Sequence, residues 1–214
     1  MLLKKEREQV VKYGKKLVES GLTVGTGGNI SIADRKKGLF CISPSGIGYF
    51  ETEPEDVVVM DFNGNVLEGT RKPSSEYHMH MLVYRNYKDA GAVVHCHSIY
   101  ATVMATNRMD LPASNYMVAM AGGKYIKCSE YATFGSIEIA EKSIEALGTR
   151  KACLQANHGQ LTYGSTIGEA FNLAETIEHL SRIHILSMIS GNPVILDDKE
   201  MDSAIERFKN YGQK

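Results

Sequence analysis

Two histidines separated by one residue, His95 and His97, follow a short apolar run, Gly91-Ala92-Val93-Val94. On a strand, side chains alternate faces, so residues two apart point the same way and both imidazoles aim at one point. Neutral imidazole is a ready ligand for Zn²⁺, and a catalytic zinc site has three protein ligands with one position left for water or substrate. Two histidines alone do not make that site. His158 offers a third ligand: it follows the buried-strand pattern Ala152-Cys153-Leu154 and precedes Gly159, where a strand ends and the backbone turns. Glu76 is a fourth group, either ligand or base. The competing reading of each histidine is a hydrogen-bonded structural residue at a strand end. A second H-x-H, His78 and His80, falls in a segment from Glu76 to Tyr87 that reads as helix. Residues two apart on a helix diverge by about 200°, so this is the weaker ligand pair. His80, one turn after Glu76, is placed to orient that carboxylate.

These groups need elements to hold them. Residues 2–20 read as an amphipathic helix with Val10, Val11, Leu17 and Val18 on its apolar side and Gly21 as its stop. Strands are expected at Ile30 to Ile32 and Leu39 to Ile42, and a hairpin from Val57 to Met60 through Asp61-Phe62-Asn63-Gly64 to Val66-Leu67. Helices are expected from Ile99 to Thr106 and from Ser136 to Gly148. A long helix starts at the capping-box pattern Thr166-Ile167-Gly168-Glu169 and ends near Gly191, and a final one runs from Asp197 to Lys209. His179 and His184, on the long helix, read as packing or surface residues. Strands alternating with helices predict an α/β fold whose sheet is covered on both faces.

Three loops of small residues flank these elements: Gly25-Thr26-Gly27-Gly28-Asn29, Ser43-Pro44-Ser45-Gly46 and Lys72-Pro73-Ser74-Ser75. Bare backbone N–H groups in such loops converge on anions, and the third adds a helix N-terminus whose dipole favours negative charge. Each alone is more often just a turn. Jointly they could hold one phosphate.

The chain has 214 residues, 43% hydrophobic and 23% charged, which suits one compact domain spanning 1–214. Its 24 Lys and Arg against 25 Asp and Glu leave a net charge of -1, so no global field draws nucleic acid or an anionic membrane. No apolar run approaches a membrane span of about 20 residues, and the charged N-terminal helix is not a signal peptide; a cytoplasmic protein is expected. Cys41, Cys96, Cys128 and Cys153 lack C-x-x-C spacing and read as buried thiols.

Across nearly its whole length the sequence resembles the class II, zinc-dependent sugar-phosphate aldolases, most closely the L-fuculose-1-phosphate branch. The motifs that carry the likeness, in the family's order, are the three loops with Glu76, Val93-Val94-His95-Cys96-His97, Tyr116-Met117, Tyr131-Ala132-Thr133-Phe134-Gly135, Asn157-His158-Gly159 and Phe208-Lys209-Asn210-Tyr211-Gly212. The resemblance implies a three-layer α/β/α sandwich with a central mixed sheet. It implies one Zn²⁺ per subunit on His95, His97 and His158, other divalent metals being open, with Glu76 closing the site at rest and acting as acid/base once substrate displaces it. It implies a phosphate cradle of Gly28, Asn29, Ser45, Gly46, Ser74 and Ser75, where Ser45 stands at a place the fuculose enzymes often fill with Thr. Tyr116 resembles the tyrosine that reaches the aldehyde end from a neighbouring subunit of a homotetramer, and Tyr211 one in the C-terminal tail. The implied reaction cleaves a ketose 1-phosphate, L-fuculose 1-phosphate in the nearest branch, to dihydroxyacetone phosphate and an aldehyde, as in fucose degradation. Related branches offer a 5-deoxypentulose-1-phosphate aldolase and a pentulose-5-phosphate 4-epimerase, the latter commonly with Asp at the place of Glu76. An adducin-like scaffold is the non-enzymatic alternative, disfavoured because all three histidines and Glu76 are present.

Overall fold

The computed structural model describes residues 1–208. Its extended runs pair into one sheet. The strands are β1 (Asn29–Asp34), β2 (Leu39–Ile42), β3 (Val58–Asp61), β4 (Val66–Glu68), β5 (Ala92–Cys96), β6 (Cys128–Ser129), β7 (Ala152–Gln155) and β8 (Gly159–Gly164), in the order β4-β3-β2-β1-β5-β8-β7-β6. Neighbours run antiparallel except β6 and β7, which are parallel, so the sheet is mixed.

The period-two alternation of side chains sorts the core into faces. On one face Phe40, Met60, Val93 and Leu161 pack against helices α2 (Tyr77–Asn86) and α4 (Ile137–Leu147). On the other, Ile30, Cys41, Val59, Val94 and Cys96 pack against α1 (Lys4–Glu19) and α5 (Ile167–Ser190). A third cluster joins α5 to α3 (Ile99–Thr106), α6 (Asp198–Phe208) and a 3₁₀ helix over Tyr116–Ala121. Each fully buried aliphatic side chain contributes about 1.5–3 kcal/mol, and both faces are sealed. This is the three-layer α/β/α sandwich.

Some expectations need correction. β8 and the two-residue β6 were absent from the strand pattern. Gly159 to Gly164 alternates Gln160 and Thr162 with apolar residues, a pattern of a half-exposed strand, yet both polar side chains are fully buried. Gln160 donates to Ser98 Oγ and to the Ala174 carbonyl, and Thr162 to the Ala170 carbonyl, so their donors are bonded to neighbouring elements and not to water. The capping box is shifted: Thr166 accepts the N–H of Glu169, but the Glu169 carboxylate returns to the N–H and hydroxyl of Ser165. The four cysteines are free and buried. Among the described residues no helix is long and apolar enough to cross a membrane.

Candidate active site

The ends of β5 and β7, the start of β1 and the residue before α2 meet at one end of the sheet's interior strands. His95, the fourth residue of β5, is fully buried with its Nδ1 2.9 Å from the carbonyl of Gln160 on β8. A carbonyl only accepts, so Nδ1 carries a proton, and Nε2 is the nitrogen turned toward the cluster. His97 lies one residue beyond the strand and not within it, yet its Nε2 is 2.9 Å from that of His95. His158 sits in the β7–β8 turn, where Asn157 adopts a left-handed φ of 56°. The three rings lie 4.7 to 4.9 Å apart, centroid to centroid. Glu76 occupies the N-cap position of α2, not its first turn, and reaches His95 Nε2 at 3.1 Å through Oε2 and His158 Nε2 at 3.4 Å through Oε1. The ligand atoms of all four residues fall within 4.8 Å of one another.

Glycines make this convergence sterically feasible. A Cβ on Gly28, whose φ is +72°, would lie 2.7 Å from the His95 carbonyl oxygen, and one on Gly159 would lie 2.4 Å from that of Cys96. Both approaches exclude any side chain.

Burial dominates the electrostatics. It pushes His97 down to about 4 and His158 to about 3, with His95 adding to both shifts, so these imidazoles are neutral at pH 7, the form that binds a metal. Burial works against ionisation of Glu76, but in acid, where the carboxyl would titrate, the charge of protonated His95 and His158 and the hydrogen bonds from His95 and the Asn29 amide outweigh it and hold the carboxyl below its usual range. Glu76 Oε1 and His158 Nδ1 are buried without a hydrogen-bond partner. Three imidazoles and one carboxylate, with a carboxylate oxygen left unbonded among them, are the donor set and the orphaned atom that a divalent ion would satisfy.

Above this cluster opens a cleft of about 470 Å³. Gly28, Asn29, Ser45, Gly46, Ser74 and Ser75 line it together with Glu76, His97 and His158. The loops are fixed to one another: Ser45 donates its N–H to the Lys72 carbonyl, Ser74 its N–H to that of Ser43, and the Tyr49 hydroxyl donates to Gly28 at 2.8 Å. Among the described residues no Lys or Arg lines the cleft. Asn29 departs from its simplest reading, since its side-chain amide turns inward to Glu76 Oε2 at 3.0 Å. Tyr131 and Phe134 also line the cleft; their motif stood out in the sequence, but no periodicity assigned them there.

Tyr116 lies elsewhere. It is 55% exposed, stacks on Phe208 and borders a separate cleft of about 1040 Å³ beside α6. Tyr211 lies outside the described residues.

Known proteins resemble this chain in sequence and in fold. The family model described as Class II Aldolase and Adducin N-terminal domain matches residues 8–185. A 5-deoxy-D-ribulose 1-phosphate aldolase of Bacillus thuringiensis serovar kurstaki is 47% identical over 214 residues, all of both chains. An L-fuculose phosphate aldolase of Escherichia coli (strain K12) is 37% identical, covering 95% of this chain and 94% of its own. A solved structure named L-fuculose 1-phosphate aldolase superposes with a TM-score of 0.94 at 48% identity, covering 96% of each chain.

Proposed function

The chain belongs to the class II aldolase and adducin N-terminal domain family, and from that premise we propose that it cleaves the C3–C4 bond of a 5-deoxypentulose 1-phosphate to dihydroxyacetone phosphate and acetaldehyde. The observation that carries the reading is the convergence of His95, His97, His158 and Glu76 at the foot of a cleft walled by three loops of small residues. As a member of this family the protein is a carbon–carbon lyase.

His95, His97 and His158 would hold Zn²⁺, with Glu76 as the exchangeable fourth ligand; nitrogen and oxygen donors of this kind suit that ion. When bound, the ion supplies Lewis-acid stabilisation of the negative charge that collects at C2 as the bond breaks. The chain's own residues do the rest. The N–H groups of the Gly28, Gly46 and Ser75 loops, with the hydroxyls of Ser45 and Ser74, grip the phosphate at C1 and fix the distance from it to the reacting carbons. Glu76 moves the proton at C3 between the enediolate and dihydroxyacetone phosphate.

Tyr116 serves the C4 oxygen from a neighbouring subunit of a homotetramer. Its exposure and its position away from its own chain's cleft support this, because a side chain so placed reaches a site only across an interface. Tyr211 is assigned to the same end by family resemblance alone.

A second reading, L-fuculose 1-phosphate yielding L-lactaldehyde, is favoured by the solved structure of that name. The two substrates share the phosphate end and differ in the aldehyde released. Enzyme-coupled detection of dihydroxyacetone phosphate from each separates them. We expect kcat/KM at least about tenfold higher for 5-deoxy-D-ribulose 1-phosphate, the scale of one well-placed contact. The reverse ratio selects the second reading, and release from neither removes both.

A further inference from the structure

Behind Glu76 runs a chain of buried polar side chains that the reaction itself does not use. Asn29 Nδ2 donates to Glu76 Oε2 at 3.0 Å, and its Oδ1 meets His80 Nε2. His80 Nδ1 lies 2.6 Å from Ser31 Oγ, which lies 2.6 Å from the Tyr84 hydroxyl. Ser31, His80 and Tyr84 are at most 1% exposed, so none of them exchanges these bonds for water. The side-chain amide of Asn29 thus stands between His80 and Glu76.

The direction of this chain is forced from one end. An ionised carboxylate only accepts, so Asn29 must turn its NH₂ toward Glu76 and its carbonyl toward His80. His80 must then carry its proton on Nε2 and accept at Nδ1 from Ser31, which in turn accepts from Tyr84. Burial pushes His80 down to about 3 and raises Tyr84 above its ordinary value, so one N–H and one O–H are present to fill these roles. Every donor in the series meets one acceptor. Were His80 to lose its N–H, Asn29 Oδ1 would be left buried and unpaired. The amide would then gain by turning over, which sets its oxygen against the carboxylate.

We propose that Tyr84, Ser31 and His80 form a positioning relay that locks the Asn29 amide, and through it pins Glu76 Oε2, leaving Oε1 as the oxygen offered to the metal and to the substrate proton. The proposal rests on the reading of Glu76 given above. It assigns to His80 a role in the geometry of the carboxylate, with no contact to substrate.

Two polar replacements of similar size separate orientation from simple packing. Gln at position 80 carries its amide where Nε2 stood and can still donate to Asn29, whereas Asn carries it where Nδ1 stood and cannot. In metal-free ¹⁵N-labelled protein, the shifted Asn29 side-chain amide resonance is expected to persist in His80→Gln and to move toward the free-amide position in His80→Asn. Chelator competition should show apparent Zn²⁺ affinity about tenfold weaker in His80→Asn and near wild type in His80→Gln, the size typical of lost outer-sphere support. With substrate, kcat should fall at least about tenfold in His80→Asn with KM changed less than about threefold. Ser31→Ala, which frees the His80 tautomer, should shift the resonance and the affinity in the same direction, and carries the test if His80→Asn does not fold. A wild-type Asn29 resonance and wild-type Zn²⁺ affinity in the variants that fold overturn the relay. If the wild-type protein cleaves neither ketose phosphate, the functional reading falls, while the resonance and the affinity still decide the relay.

Discussion

The two oxygens of Glu76 live in different surroundings, and that asymmetry decides what the residue can do. Oε2 accepts from Asn29 and lies against His95; Oε1 accepts no hydrogen bond although it is buried. A ligand that must also carry a proton needs one anchored and one free oxygen. Glu76→Gln keeps an oxygen donor and the side-chain shape but cannot shuttle the proton. It is expected to retain about one Zn²⁺ per chain by metal analysis while kcat drops at least about 100-fold; turnover near wild type would remove Glu76 from proton transfer. His80 supplies a pH test with a definite sign. Its pKa is about 3 in the folded chain against 6.5 when unfolded. Between those values the unfolded state binds more protons, so the folded state loses ground as pH falls below 6.5, by about 1.4 kcal/mol per pH unit. His97 and His158 act in the same direction. Urea unfolding of metal-free protein at pH 7, 6 and 5 should therefore show a shallower acid loss for His80→Gln than for wild type, and equal slopes would contradict the assignment.

At the scale of elements, the site depends on a close approach between β1 and β5. Gly28 enters β1 with a φ of +72° and with the His95 carbonyl where a side chain would begin. Gly28→Ala combines left-handed strain with a backbone clash and should cost about 1–3 kcal/mol in denaturant unfolding. The displaced atom belongs to His95, so Zn²⁺ affinity should fall with stability. Much of this arrangement was legible beforehand. Alternation along Val93 to His97 and the strand-then-turn pattern around His158 point to a shared focus without any tertiary information. The loops announce themselves through Gly, Ser and Pro. Other features were hidden for physical reasons. β8 reads as half-exposed because Gln160 and Thr162 find their partners in α5 and the residue before α3, distant in sequence. The relay joins Ser31 to His80 and Tyr84 across about fifty residues, and no local period reports such a pairing. The turn of Asn29 toward Glu76 is a choice of rotamer, set only once β1 and α2 have packed.

For the whole molecule, charge and assembly matter more than any one contact. With a net charge of -1 and a cleft without Lys or Arg among the described residues, the proposed phosphate binding would rest on backbone N–H groups and hydroxyls. Assembly enters through Tyr116. If one chain's Tyr116 completes its neighbour's site, mixing refolded Glu76→Gln and Tyr116→Phe chains creates some sites with both native groups, about a quarter in a random mixture. Activity should rise above that of either variant alone; no recovery would place each site within one chain. The central claim is that the four converging side chains hold a divalent ion required for aldol cleavage. Its most direct test is dihydroxyacetone phosphate release from 5-deoxy-D-ribulose 1-phosphate by protein as purified, after chelation, and after adding back Zn²⁺. The expected result is turnover that disappears on chelation and returns with the metal; turnover indifferent to chelation would contradict it.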